Sequence, residues 1–142
     1  MATTEKKSVT ISCTVDLPVQ KVWEYWSKPE HIVKWNNASD DWHTPSAEND
    51  LRVGGKFVST MAAKDGSASF NFEGNYTEVE EHRVIAYKMA DNREVRITFT
   101  DDGDSTEIQE IFDAEDTHPV ELQQSGWQSI LDNFKEYAEE KG

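Results

Sequence analysis

Between Asp50 and Tyr76, apolar and aromatic side chains alternate with polar ones along two segments joined by Lys64-Asp65-Gly66-Ser67. Side chains in a strand point the same way every second residue. Phe57 and Met61 therefore share one face of the first segment, and Phe70, Phe72, Gly74 and Tyr76 share one face of the second. Asp65-Gly66 suits the left-handed geometry of a tight hairpin, and Gly54-Gly55 lack the Cβ atoms that would stop the backbone bending before the first strand. The pattern predicts a strongly curved antiparallel hairpin with one large aromatic face, and such a face needs a cover.

The C-terminus carries a suitable one. From Pro119 to Lys141, the side chains Val120, Trp127, Ile130, Leu131, Phe134 and Ala138 recur at the spacing of one helical face, which predicts a helix of about six turns and roughly 35 Å. Pro119 and Glu121 suit its first turn, where a missing N–H costs nothing and a negative charge meets the positive end of the dipole, and Lys141 and Gly142 suit its end. The helix is expected to lie across the concave face of the sheet.

Elsewhere, Val9, Ile11, Cys13 and Val15 alternate as a first strand, and Asp16-Leu17-Pro18 opens a helix bearing Val19, Val22, Trp23 and Trp26. Ser27-Lys28-Pro29-Glu30 has the form of a capping box, predicting a second short helix with Ile32 and Trp35. Asn36 to Asn49, with Trp42 and His43, reads as a polar loop. After the hairpin, Ile85, Tyr87 and Met89 mark a strand, Asp91-Asn92 a turn, Val95, Ile97 and Phe99 another strand, Asp102-Gly103 a turn, and Thr106 to Phe112 the last strand. Parallel strands need crossover helices, which this order lacks. The fold class expected is α+β, a curved antiparallel sheet of about six strands wrapped around the long C-terminal helix, with two short helices after the first strand.

A chain of 142 residues fits one domain, 1–142. Fourteen basic against 28 acidic residues leave a formal charge of −14, which repels phosphate backbones and anionic headgroups, so nucleic acid and membrane surfaces are not expected partners. No apolar run approaches the roughly 20 residues of a membrane span, and Met1 to Lys7 are polar, so a cytoplasmic location is expected. Cys13 stands alone on an apolar strand face and reads as a buried structural thiol.

Several short motifs occur in a fixed order. They are Val22-Trp23, then Pro29-Glu30 followed by Trp35, Asp50-Leu51-Arg52-Val53-Gly54-Gly55, Asp65-Gly66, Gly74-Asn75-Tyr76, Ile85-Ala86-Tyr87, Phe112-Asp113-Ala114-Glu115 and Gly126-Trp127-Gln128-Ser129-Ile130-Leu131-Asp132-Asn133-Phe134. In that order and spacing the chain resembles, over nearly its whole length, the START-related (SRPBCC) helix-grip superfamily. Within it, the chain is similar to the family of the C-terminal domain of the activator of the heat-shock-protein-90 ATPase. The resemblance implies a sheet curled around a C-terminal helix, enclosing a cavity that in many relatives accepts apolar or aromatic small molecules. The superfamily spans lipid carriers, hormone receptors, polyketide cyclases and chaperone activators, so function has to be argued from the site. The larger chaperone activators carry a separate N-terminal domain, and weak or absent co-chaperone activity is the expectation for this chain.

The expected ligand-binding residues come from every layer. The short helices offer Trp26 and Trp35, the hairpin Phe57, Met61, Phe70, Phe72 and Tyr76, and the later strands Tyr87, Met89, Ile97 and Phe99. The C-terminal helix adds Gln123, Trp127, Ile130 and Phe134. Gly126 beside them either makes space for a ligand or lets helix and sheet approach closely. Glu110 falls between Ile108 and Phe112 on one strand face, where it would be an inward polar anchor unless a bulge turns it out; solvent is the expectation.

Catalysis has little support. His31, His43, His82 and His118 show no paired metal-ligand spacing, and no nucleophile turn or phosphate loop occurs, so no catalytic residue, metal or cofactor is assigned. His43, after Asp40, Asp41 and Trp42, is the one candidate acid or base and reads as a surface residue. Gly54-Gly55 precedes a strand rather than opening a helix, which rules out a dinucleotide loop, and Arg52 is expected to pair with Asp50. The expected function is binding of a small hydrophobic or aromatic, lipid-like or polyketide-like molecule. The alternatives are a chaperone-ATPase activator working through its surface with a chaperone partner, and an aromatase or cyclase-like enzyme using the same cavity.

Overall fold

In the computed structural model, which describes residues 8–37, 40–89, 92–115 and 119–141, the first strand β1 (Ser8–Val15) leads into the helices α1 (Val19–Ser27) and α2 (Pro29–Trp35). A run of strands follows: β2 (Trp42–Asn49), β3 (Lys56–Ala63), β4 (Ser69–Glu80), β5 (Val84–Met89), β6 (Glu94–Asp101) and β7 (Thr106–Asp113). The chain then enters the long helix α3 (Val120–Lys141). The seven strands form one antiparallel sheet in the order β1-β7-β6-β5-β4-β3-β2. Strands β2 to β7 are a simple meander, and β1 closes the β7 edge.

The seventh strand is β2, which occupies most of the segment expected to be a loop. Its sequence lacks alternating apolar residues and includes Pro45, and its pairing with β3 shifts register between His43 and Ser46. Proline has no N–H to give a ladder and is tolerated at an edge or an irregularity. β2 is such an edge strand, held by β3 on one side and by α2, which packs against it.

The turns follow the glycines. Gly66 and Gly103 take positive φ of 78° and 88°, and Asn92 takes 71°; Asp91, its partner in the expected turn, lies outside the described residues, as does His118. Gly54 has φ 84°, and at Gly55 a Cβ would stand 2.0 Å from the Asp50 carbonyl oxygen, so the loop doubles back in a way that side chains forbid. Arg52 and Asp50 form the expected ion pair there at 2.9 Å. The capping box is not formed. Lys28 is the N-cap of α2, and Ser27 ends α1 with its hydroxyl donating to the Trp23 carbonyl at 2.6 Å. A hydroxyl already committed to the preceding turn cannot serve the next helix.

α3 lies along β1 and touches α1 and α2. Long side chains strap it to that edge: Gln128 donates to the Ser12 carbonyl at 3.2 Å, Lys135 to Thr14 at 2.6 Å, and Glu139 accepts from the Asp16 N–H at 2.8 Å. Leu131, Phe134 and Ala138 are fully buried, in the same apolar cluster as Val15, Val22, Ile108 and Phe112. Toward the helix N-terminus, Trp127 and Ile130 are only half-buried. The core is therefore tight under the C-terminal half of α3 and opens under its N-terminal half. Cys13 is half-buried rather than fully buried, and burial pushes its thiol up to about 12, which makes it unreactive. No helix among the described residues is long and apolar enough to cross a membrane.

Candidate functional site

A cavity of about 430 Å³ fills the opening between the sheet and the N-terminal half of α3, within the size range of small-molecule sites. Its centre is a box of aromatic rings. The Phe57 ring lies 4.7 Å from Tyr87, 5.4 Å from Tyr76 and 5.5 Å from Phe72, and Phe72 in turn lies 6.1 Å from the Trp127 indole, edge to face. The strand period places these rings together: Phe57 pairs with Gly74 across the β3–β4 ladder, and Tyr76 pairs with Tyr87 across β4–β5. Gly74 is what lets Phe57 lie flat on the backbone, because a Cβ there would stand 3.0 Å from the ring and 2.8 Å from the Lys88 carbonyl oxygen.

Several polar groups of the wall are committed to one another or to the backbone. The Tyr76 hydroxyl donates to Asn49 Oδ1 at 2.5 Å, and Asn49 Nδ2 donates to the Ser27 carbonyl at 2.6 Å, a relay joining β4, β2 and α1. Gln123, buried at the start of α3, accepts from the Glu115 N–H at 2.8 Å and donates to the Glu115 carbonyl at 3.1 Å. Arg93 pairs with the Glu115 carboxylate at 3.9 Å.

Glu110 is not among them. It is 7% exposed and points inward, correcting the expectation that it turns to solvent: β7 runs without a bulge, so Thr106, Ile108, Glu110 and Phe112 all face the core. Its carboxyl has no hydrogen-bond partner among the described residues, and since no fully buried polar side-chain atom among them lacks a partner, its oxygens look into the cavity. Burial pushes its pKa up to about 8. The Tyr87 hydroxyl is raised too, by burial first and then by Glu110 and Tyr76.

Of the residues expected to contact a ligand, Trp26, Trp35, Phe57, Met61, Phe70, Phe72, Tyr76, Tyr87, Ile97, Gln123, Trp127 and Ile130 stand in the cavity wall. Phe99, Phe134 and Met89 do not. Phe99 packs edge-on against Trp23 and Trp26 at 5.2 and 5.7 Å, and Phe134 against Trp26 and Trp35 at 4.9 and 5.0 Å, so both lie behind the wall; Met89 is core at the end of β5. Gly126 does not serve close packing, because a Cβ there would meet no atom within 4 Å. His43 is exposed on β2, outside the cavity.

Sequence reasoning missed the polar side of the wall. Asn36, Glu48 and Asn49 come from the segment read as a loop, Ser59 sits between Phe57 and Met61 on β3, and Arg93 and Glu115 flank strand ends. Ile32, Ile85 and Leu122 complete the apolar side. Phe70 and Leu122, 54% and 59% exposed, are the large apolar side chains of the lining that reach solvent, and the Phe70 ring lies 5.8 Å from Trp42. Among the described residues no three His, Cys, Asp or Glu side chains gather to hold a metal ion.

The family model described as Activator of Hsp90 ATPase homolog 1-like protein matches residues 16–139. The chain is similar to the solution structure of the AHSA1-like protein from Aeromonas hydrophila, with 46% identity over 96% of this chain and 94% of that one and a TM-score of 0.90. A Cytophaga hutchinsonii protein is 54% identical over 94% of this chain and 93% of its own, with a TM-score of 0.82. A Nitrosomonas europaea protein shares the fold alone, with a TM-score of 0.80 at 18% identity over 94% of this chain and 95% of that one. Among curated proteins nothing matches the chain.

Proposed function

We propose that this chain, which belongs to the Activator of Hsp90 ATPase homolog 1-like family, binds a small, mainly aromatic molecule in the cavity between its sheet and α3. The observation that carries this reading is the box of Phe57, Phe72, Tyr76, Tyr87 and Trp127 bordering 430 Å³ of space with a mouth at Phe70 and Leu122. A wall that served only as core would leave no such space beside its rings, because an unfilled apolar volume forfeits contacts. Burying about 300 Å² of apolar ligand surface contributes roughly 7 kcal/mol, against which the ordering costs of association are set. Cytoplasmic residence belongs to this reading, since the lone Cys13 needs no oxidising compartment.

The family description supports a second reading, activation of a chaperone ATPase through the outer surface. One pair of measurements separates the two. A panel of planar polyketide-like, flavonoid-like and fatty-acid ligands is titrated against tryptophan emission and melting temperature, and the cognate chaperone's ATPase rate is read with and without the protein. Saturable ligand binding with an unchanged ATPase rate is expected. Several-fold ATPase stimulation with no response to any ligand would reverse the order of the two readings.

A further inference from the structure

The charged side chains of the cavity wall are Glu48, Arg93, Glu110 and Glu115. Arg93 and Glu115 are ion-paired with each other, which leaves the wall's surplus charge acidic. Glu110 is the buried one of the four. It pairs across the sheet with Ile97, and the next inward residue on its strand is Phe112, whose ring is stacked on Trp127. A carboxyl kept in an apolar wall without a hydrogen bond is costly to the fold, and its inward oxygens are positioned to meet something that the cavity holds.

Three kinds of ligand group would meet it. A carboxylate would meet Glu48, and Glu110 too once that group ionises, in a protein of formal charge −14, which opposes fatty acids. A neutral hydrogen-bonding group would be accepted but would leave the acidic surplus unused. A cationic nitrogen satisfies both features together: it pairs with the carboxylate, and the aromatic rings beside it offer their negative faces to positive charge. We propose that the cavity selects arylalkyl amines in their ammonium form, with the nitrogen against the Glu110 carboxylate and the ring against Phe57, Phe72, Tyr87 and Trp127. This rests on the cavity being a binding site.

The empty site holds Glu110 neutral at pH 7, so docking of an ammonium group drives one proton from the carboxyl to solvent. Affinity therefore rises roughly tenfold per pH unit until Glu110 ionises unaided near pH 8, then levels off until the amine loses its own proton. The groups that face Glu110 leave this window clear. Tyr87 on β5 is raised well above its ordinary value, the Cys13 thiol on β1 stands at about 12, and Tyr76 on β4 is raised as well. The remaining charged wall groups are Glu48 on β2, Arg93 before β6 and Glu115 after β7, and α3 contributes no titratable side chain to the wall.

The test is calorimetry with two probes of the same shape, naphthylmethylamine and naphthylmethanol, on the full chain. The amine is expected to bind at least about tenfold more tightly at about pH 8 than at about pH 6, while the alcohol shows no such change. Titrations near pH 7 in two buffers of different ionisation heat should report release of nearly one proton with the amine and none with the alcohol. Glu110→Gln should abolish both signatures; should that variant fail to fold, proton release by the parent protein decides alone. Alcohol binding as tight as amine binding at every pH overturns the selectivity and leaves the cavity reading standing. Failure of both probes to bind overturns the two together.

Discussion

The Trp127 indole lies parallel to the Phe112 ring, with centroids 4.1 Å apart and planes 10° from coplanar. Phe112 is fully buried on β7, whereas Trp127 is half-buried on α3 and also meets Phe72, edge to face, at the cavity wall. One ring thus fixes the height of the helix over the sheet, and the other converts that height into a cavity wall. Phe112→Ala is expected to destabilise the protein by about 3 to 5 kcal/mol in urea unfolding, and to shift tryptophan emission to longer wavelength as water reaches Trp127. A midpoint within experimental error of the parent's would show that α3 does not depend on this stack.

Gly74 gives a sharper steric test. With the Lys88 carbonyl oxygen 2.8 Å from where a Cβ would stand, the backbone cannot yield as a side chain would, and the Phe57 ring at 3.0 Å has only the cavity to move into. Gly74→Ala should cost about 1 to 3 kcal/mol and shrink the cavity, lowering affinity for any aromatic probe. A variant as stable as the parent, binding as well, would mean that the ring does not rest on the glycine.

Glu110 makes stability depend on pH in an unusual direction. Its pKa rises from the ordinary 4.5 of a glutamate to about 8 in the folded protein, so the folded state holds the proton that the unfolded state has given up. Stability from this group is fully present below about pH 4.5 and is lost as pH rises toward about 8, by roughly 5 kcal/mol at most. Glu110→Gln should flatten the loss. The check is the difference in unfolding free energy between variant and parent, which should grow from about pH 5 to about pH 8. A constant difference would mean that Glu110 ionises normally in the fold.

Gly126→Ala should stabilise. The added methyl meets no atom within 4 Å, and alanine in a helix interior is favoured over glycine by about 0.5 to 1 kcal/mol. A rise of a few degrees in melting temperature is expected, and a fall would show that the helix does use the glycine for close approach.

The strands with strict alternation, such as Val95-Ile97-Phe99, and the long apolar stripe of α3 were legible because burial on one face leaves a period in the sequence. β2 left none. It is an edge strand whose side chains are mostly exposed, so its pairing is dictated by β3 and α2 rather than by its own composition. For that reason Asn36, Glu48 and Asn49 could not be placed at the site. Glu110 carried the right signal, an inward position in an unbroken alternation, but the alternation alone does not exclude a bulge that would turn it to solvent, and β7 contains none. Phe99 and Phe134 share the period of the wall residues; whether an inward ring borders a cavity or packs behind it depends on how close α3 sits, which periodicity does not encode.

The central claim, that the cavity is a binding site, is tested most directly by methyl-resolved NMR of the isoleucines during titration with naphthylmethanol, a probe that needs no charge. Ile32, Ile85, Ile97 and Ile130 border the cavity, while Ile11, Ile108 and Ile111 do not. Saturable shifts confined to the first group are predicted. Shifts absent from all seven, or concentrated on Ile11, Ile108 and Ile111, would contradict the account.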